Sequence, residues 1–322
     1  MDAANRVKRA LAIAALALAV LAAPAAAELR IGIGDQKATM FGDSRFAGLH
    51  IAIARYSVAW DTLDVPAQSA ALDSWLAQAR DAGVSPLLSI DHSRRAGRTR
   101  VLPTVAQYAA QMRRLHARYP WVADYAVWNE ANYCGEPTCH HVDRMVGYYR
   151  ALRGICPACH VLAAELLDFP NMPGWVGEFQ RRNRGDPHYW GLHNYRDANR
   201  LQTANTELLL SITSGEVWFT ETGGIVGRNN KSMVQFVQSP AHAALATDWL
   251  FHRLAQLSPR VTRIYLYEWN ALTKHDSWDT ALIGPDGVAR PAFRIVQRVV
   301  DDMRQASPPP APVLPPTPPP AG

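Results

Sequence analysis

Two stretches of this 322-residue sequence end an apolar run in a carboxylate. Tyr125-Ala126-Val127-Trp128-Asn129-Glu130 has the alternation and aromatic content of a buried strand, then stops in an amide and an acid. Val217-Trp218-Phe219-Thr220-Glu221-Thr222-Gly223-Gly224 repeats the design, with glycines after the acid that let the backbone turn. A strand that ends this way puts its polar side chains at the rim of a sheet, where a ligand can meet them. Breaking a glycosidic bond needs two such groups: an acid that protonates the leaving oxygen and a second carboxylate at the anomeric carbon. The two stand about 5–5.5 Å apart where the configuration is retained, and about 6.5–9.5 Å apart where it is inverted.

The elements that must hold them alternate along the chain. Apolar strand patterns occupy residues 29–34, 51–60, 84–90, 123–128, 160–164, 189–192, 216–220 and 263–267. Helical periodicity lies between them over 68–82, 104–119, 142–155, 173–182, 203–212 and 240–257, and after the last strand over 291–304. Thr104 is placed to cap the helix that Pro120 stops, and Gly83 to stop the one before it. Eight strands alternating with helices predict an α/β fold, a (β/α)8 TIM barrel over residues 28–306. A doubly wound open sheet also alternates, but the glycine-rich turn after its first strand is incomplete here: Gly32 and Gly34 stand without the rest. Polar residues gather at strand ends, where barrel enzymes keep their sites. Asp91, His92, Glu165, Glu268 and Asn270 are therefore expected to line the cleft, while Trp128 and Trp218 are expected to support it.

The two ends read differently. A basic start, an apolar run and Ala25-Ala26-Ala27 give residues 1–27 the form of a secretory signal peptide. Residues 307–322 are mostly proline and alanine, the composition of an extended, disordered tail. The expectation is a secreted monomer, extracellular or wall-associated, with no membrane attachment once the leader is removed. The formal charge of +5 falls to +3 without the three basic residues and one acid of the leader, which gives no footprint for nucleic acid. Arg94, Arg95, Arg98 and Arg100 form a local cluster that reads as a solvated loop or as a contact for an anionic glycan. Cys134, Cys139, Cys156 and Cys159 favour two disulfides in an exported chain, 134–139 and 156–159, with a crossed pairing or a zinc site beside His140, His141 and His160 as alternatives.

With Trp128-Asn129-Glu130 on the fourth strand and Phe219-Thr220-Glu221 on the seventh, the chain resembles clan A of the retaining glycoside hydrolases, nearest to secreted bacterial cellulases and β-1,3-glucanases. The resemblance covers most of residues 28–306 at the level of strand order. It implies Glu130 as acid/base and Glu221 as nucleophile, with no cofactor and no metal. It implies that Asn129 holds a sugar 2-hydroxyl and that Arg55 stabilises Glu221 as the carboxylate. His193 and Tyr195 would meet the substrate from the sixth strand, and Trp269 would stack a sugar ring from the eighth. The partner implied is a polysaccharide or oligosaccharide with β-glycosidic bonds. The sequence departs from many members of that clan in carrying Ala131, not proline, after the acid/base. The competing reading is a catalytically silent barrel that binds a cell-wall glycan.

Overall fold

A computed structural model of the chain describes residues 29–228, 236–274 and 276–306. The leader expected over 1–27 and the proline-rich tail over 307–322 lie outside the described residues. Nine strand segments make one sheet: β1 (Arg30–Gly34), β2 (Ile53–Ala59), β3 (Ser85–Asp91), β4 (Asp124–Ala126), β5 (His160–Leu162), β6 (Glu165–Leu167), β7 (Tyr189–His193), β8 (Glu216–Thr222) and β10 (Val261–Tyr267). Two short strands, β9 (Gly227–Arg228) and β11 (Trp278–Asp279), form an antiparallel ribbon outside it. The sheet order is β5-β4-β3-β2-β1-β10-β8-β7-β6, and the pairs within it are parallel.

The two edges of that order belong to one stretch of chain. β5 pairs with β4 and β6 pairs with β7, with only Ala163-Ala164 between them. Ala163 donates its N–H to the Tyr189 carbonyl (3.0 Å), so the chain crosses from one neighbour to the other as the sheet comes round on itself. The expected fifth strand is thus present but broken, and the fold is a (β/α)8 barrel.

Period-two alternation sets what each strand sends inward. Ile53, Leu87, Ala126, Leu162, Trp218 and Tyr265 form a fully buried apolar plug in the barrel. Toward the amino ends of the strands, Asp124 pairs with Arg263, whose guanidinium lies 3.6 Å from the Trp218 ring centroid. Toward the carboxyl ends, two residues on from Ile53 and Leu87, the inward positions become Arg55 and Ser89, both buried. The polar layer that carries the site therefore rests directly on a dry one.

The helices follow the expected positions, with informative differences. The helix Val105–Arg118 opens on a Thr104–Gln107 capping box. The helix expected over 240–257 runs as Pro240–Trp249, then widens into a π-helical turn, Leu250–Leu254, and tightens in Ala255–Leu257. A short helix, Tyr195–Arg200, follows β7 without having been expected. Its Asp197 explains it: the N–H donates to Asp168 (2.9 Å), and the side chain accepts the N–H of Thr206 (2.7 Å) at the start of helix Ala204–Ile212. Among the described residues no helix is long and apolar enough to cross a membrane.

Candidate active site

The strand ends surround a cavity of about 470 Å³. Glu130, just beyond β4, and Glu221, in the last turn of β8, both line it. A carboxylate oxygen of each and a ring nitrogen of His193 lie within 4.8 Å of one another. Glu130 holds a left-handed backbone, φ 46°, a conformation that costs a residue with a Cβ roughly 1–2 kcal/mol. It is kept there by two bonds to the peptide that follows it: Ala131 donates to the Glu165 carbonyl (2.9 Å) and Tyr133 to the carbonyl of Glu130 itself (2.8 Å).

Beneath the two glutamates lies a buried ionic cluster. Arg55, 2 % exposed, spends its guanidinium on four side chains: Nη1 on Glu221 (2.8 Å), Nε and Nη2 on Glu165 (2.9 and 2.7 Å), and Nη2 also on Asn129 (2.7 Å) and Ser89 (3.2 Å). Tyr195 donates its hydroxyl to the other oxygen of Glu221 (3.1 Å). His193 Nδ1 meets Glu130 at 3.2 Å, and its Nε2 stands 3.7 Å from Glu165. Glu165 fits because β7 offers Gly191 opposite it: a Cβ there would come within 2.8 Å of Glu165 Cγ.

The cluster sorts protons. Burial raises the Glu130 carboxyl above its ordinary value, against the pull of His193, and the Glu221 charge adds to the rise. Burial acts the same way on Glu165, but the Arg55 charge, the bonds from Arg55 and the nearby His193 charge outweigh it and hold this acid well below the usual carboxylate range. Burial works against a charged His193, yet Glu221, Glu130 and Glu165 together push it up to about 9. The arrangement can therefore keep one carboxyl protonated beside another that faces a guanidinium.

The sequence-expected residues converge only in part. Glu130, Glu221, Asn129 and Tyr195 line the cavity. Arg55 and His193 do not: both are buried under the floor, where they reach the glutamates and not the space a substrate would fill. Trp269 is a correction. It is 1 % exposed, set edge-on against Phe46 (5.5 Å) and Phe293 (6.0 Å), with its indole N–H on Asp43, so no sugar can stack on it as placed. Of the unassigned strand-end polars, Asp91 lines the cavity and Glu165 is buried beneath it, while His92, Glu268 and Asn270 stand apart from the lining. Trp128 and Trp218 are fully buried.

The walls come from loops. Tyr133, Phe169, Phe236 and Trp278 supply aromatic surface, and Arg94, Arg196 and Arg228 supply charge. Trp278 reaches the cavity because β11 pairs with β9, and its ring meets Tyr195 edge-on at 5.0 Å. Cys134 is joined to Cys139 and Cys156 to Cys159, with Cα separations of 4.9 and 5.4 Å. The first bond closes the loop that brings Tyr133 to the rim and Glu136 to Trp128 Nε1 (3.1 Å) and His92 (2.9 Å). Within the arginine cluster, Arg94 lines the cavity and Arg100 bonds back to the carbonyls of Cys134 and Gly135.

Opposite effects are expected at the two tryptophans. Trp269→Ala should cost about 3–5 kcal/mol of stability by emptying a packed aromatic site, and leave KM near its wild-type value. Trp278→Ala should raise KM and cost little stability. Thermal unfolding and steady-state kinetics on the same two variants would separate core from platform; a raised KM in the first alone would reverse the assignment.

No protein-family model matches the sequence, and no curated protein matches it. Solved structures share the fold. A family 39 glycoside hydrolase from Bacteroides cellulosilyticus WH2 superposes with TM-score 0.57 at 14% identity, over 85% of this chain and 64% of that one. A GH5_18 protein from Bifidobacterium longum subsp. longum, solved with Manβ1-4GlcNAc, gives 0.62 at 12% identity, over 87% and 80%. Xylanase 10B from Thermotoga maritima gives 0.59 at 13%, over 86% and 97%. The chain thus spans just under two thirds of the family 39 protein and nearly all of the xylanase.

Proposed function

We propose that this chain is an exported, retaining glycoside hydrolase acting on β-glycosidic bonds of an oligo- or polysaccharide. The observation that carries the reading is the pair Glu130 and Glu221, with oxygens within 4.8 Å of each other at the mouth of a barrel. That closeness suits a nucleophile better than a water held between two carboxylates. Leader-like residues 1–27 and the two close cysteine pairs support export. Structural neighbours described as a β-xylosidase, a β-1,4-mannanase and β-glucuronidases support β-linked substrates.

The reaction runs in two displacements. A Glu221 oxygen attacks the anomeric carbon while the bond to the leaving oxygen breaks and Glu130 gives that oxygen its proton. The product is a glycosyl ester on Glu221. Glu130, now a carboxylate, takes a proton from water; the hydroxide oxygen attacks the anomeric carbon, the ester bond breaks and Glu221 is restored. Arg55 and Tyr195 orient the nucleophile, His193 stabilises Glu130 as its charge appears, and Asn129 is placed to bond the sugar 2-hydroxyl.

Glu130 must start protonated, so activity falls as pH rises through its carboxyl, and the raised proton affinity puts that alkaline limb above the ordinary glutamate value of about 4.3. A 2,4-dinitrophenyl glycoside needs no protonation of its leaving group. Glu130→Gln should therefore lose the limb, and lose about 10²–10⁴-fold on natural glycans while forming the glycosyl ester normally from the activated substrate. NMR of the first anomer released by wild type completes the test. Release of the inverted anomer, or equal losses on both substrates, would sink the mechanism.

A further inference from the structure

We infer that the glycan is acidic: the cavity takes a sugar bearing a carboxylate, held by Arg196 and flanked by Arg94 and Arg228. The inference rests on the hydrolase reading and names its substrate class. The segments that follow β3, β7 and β8 each send one arginine to the same cavity: Arg94 from a loop, Arg196 from the short helix Tyr195–Arg200 and Arg228 from β9. Arg94 is spent mainly on Ser57, whose carbonyl and hydroxyl accept from Nη2 at 2.9 and 3.2 Å, and lies 3.8 Å from Asp91. Arg228 stands over the Phe236 ring at 5.7 Å.

Arg196 is the informative member. Its guanidinium lies over the Phe169 ring at 5.9 Å, and its Nε is buried without an acceptor. Among the described residues no carboxylate stands within ion-pair distance of it. A cation in a pocket normally has a counter-ion, because partial burial costs it hydration. A neutral sugar offers hydroxyls but no countercharge, whereas a carboxylate matches the guanidinium fork with two bonds.

The acids around the cavity do not cancel this preference. Glu130 and Glu221 are met from below by His193 and Arg55. Asp91 is engaged by the Ser57 hydroxyl (2.8 Å) and by His92 (2.9 Å). Asp168 makes no ion pair among the described residues, but it feels the nearby Arg196 charge; burial outweighs that pull and pushes it up to about 7, so below neutral pH it is an O–H donor and does not neutralise Arg196. Its Oδ1 has no partner, which leaves it ready to bond the ligand in either form.

Matched pairs isolate the carboxylate: the β-1,4-mannose hexamer against the β-1,4-mannuronate hexamer, and the β-1,4-glucose hexamer against the β-1,4-glucuronate hexamer. Titration calorimetry on Glu221→Gln measures binding without turnover. In at least one pair the acidic member should bind about tenfold tighter or more, the worth of a charged hydrogen bond. That preference should shrink as salt is raised, vanish in Glu221→Gln/Arg196→Gln and survive in part in Glu221→Gln/Arg196→Lys. Far-ultraviolet circular dichroism and melting would show that each variant is folded. No preference in either pair, or a preference indifferent to Arg196, overturns the inference. Wild-type cleavage of the same hexamers separates the two claims. Neutral hexamers cleaved without acid preference would leave the hydrolase reading standing alone; acidic hexamers bound through Arg196 but never cleaved would do the reverse.

Discussion

Glu221→Gln should abolish turnover, with kcat reduced on the order of 10⁵-fold, as when a nucleophile is removed from an enzyme whose groups act as a unit. The amide keeps the shape of the side chain, so the cavity and its glycan affinity should persist. It cannot form the glycosyl ester, because a neutral amide is a poor nucleophile. Two measurements decide. Mass spectrometry of wild type quenched during turnover of a 2-fluoro glycoside should show one added glycosyl unit on the peptide carrying Glu221, and none in the variant. Calorimetry should find glycan binding in both. A variant that still turns over within about tenfold of wild type would remove Glu221 from the chemistry, a loss of only about 1.4 kcal/mol of transition-state stabilisation. Binding by both proteins with turnover by neither would favour the silent barrel.

The second large effect is structural. Arg55→Met should destabilise the protein by about 3–5 kcal/mol, the cost of leaving buried carboxylates without their cation. Glu165, fully buried beneath the floor, suffers most. Adding Glu165→Gln should return part of the loss, and a double-mutant cycle in urea would measure the coupling. Additivity of the two changes would mean that the pair does not act as one unit. The same cluster fixes the pH profile of stability from both sides. The carboxyl of Glu165 is depressed in the folded protein, so its contribution is present above the unfolded value of about 4.3 and lost as pH falls below it. His193 is raised to about 9, so its contribution is complete below the unfolded value of about 6.5 and lost as pH climbs from there through 9. Stability should therefore peak between the two windows and fall on either side, and Arg55→Met should flatten the acid side.

The barrel was legible because each strand is local: a few apolar residues between helices of regular period. Glu130 and Glu221 were legible for the same reason, since residues at or just beyond the carboxyl end of a barrel strand reach the mouth whatever the rest of the chain does. Trp269 misled because what covers it, Phe46 and Phe293, comes from opposite ends of the chain, and no local pattern records such a sandwich. Glu165 was expected to line the cleft; the break between β5 and β6 instead carries it under Arg55. The wall residues Asp168, Phe169, Arg196 and Trp278 had no signal at all. They sit on the loops and short elements that follow the barrel strands, and become neighbours only once the barrel has closed.

Gly191 has no functional group and does not line the cavity, yet it is the room in which Glu165 stands. In a saturation-mutagenesis library selected for activity, position 191 would tolerate as little as the two glutamates do. A single methyl there displaces the anion that Arg55 and His193 are balanced against, and through them both carboxylates of the site. A glycine of this kind marks a volume, not a bend in the chain, and a search for functional side chains would pass over it.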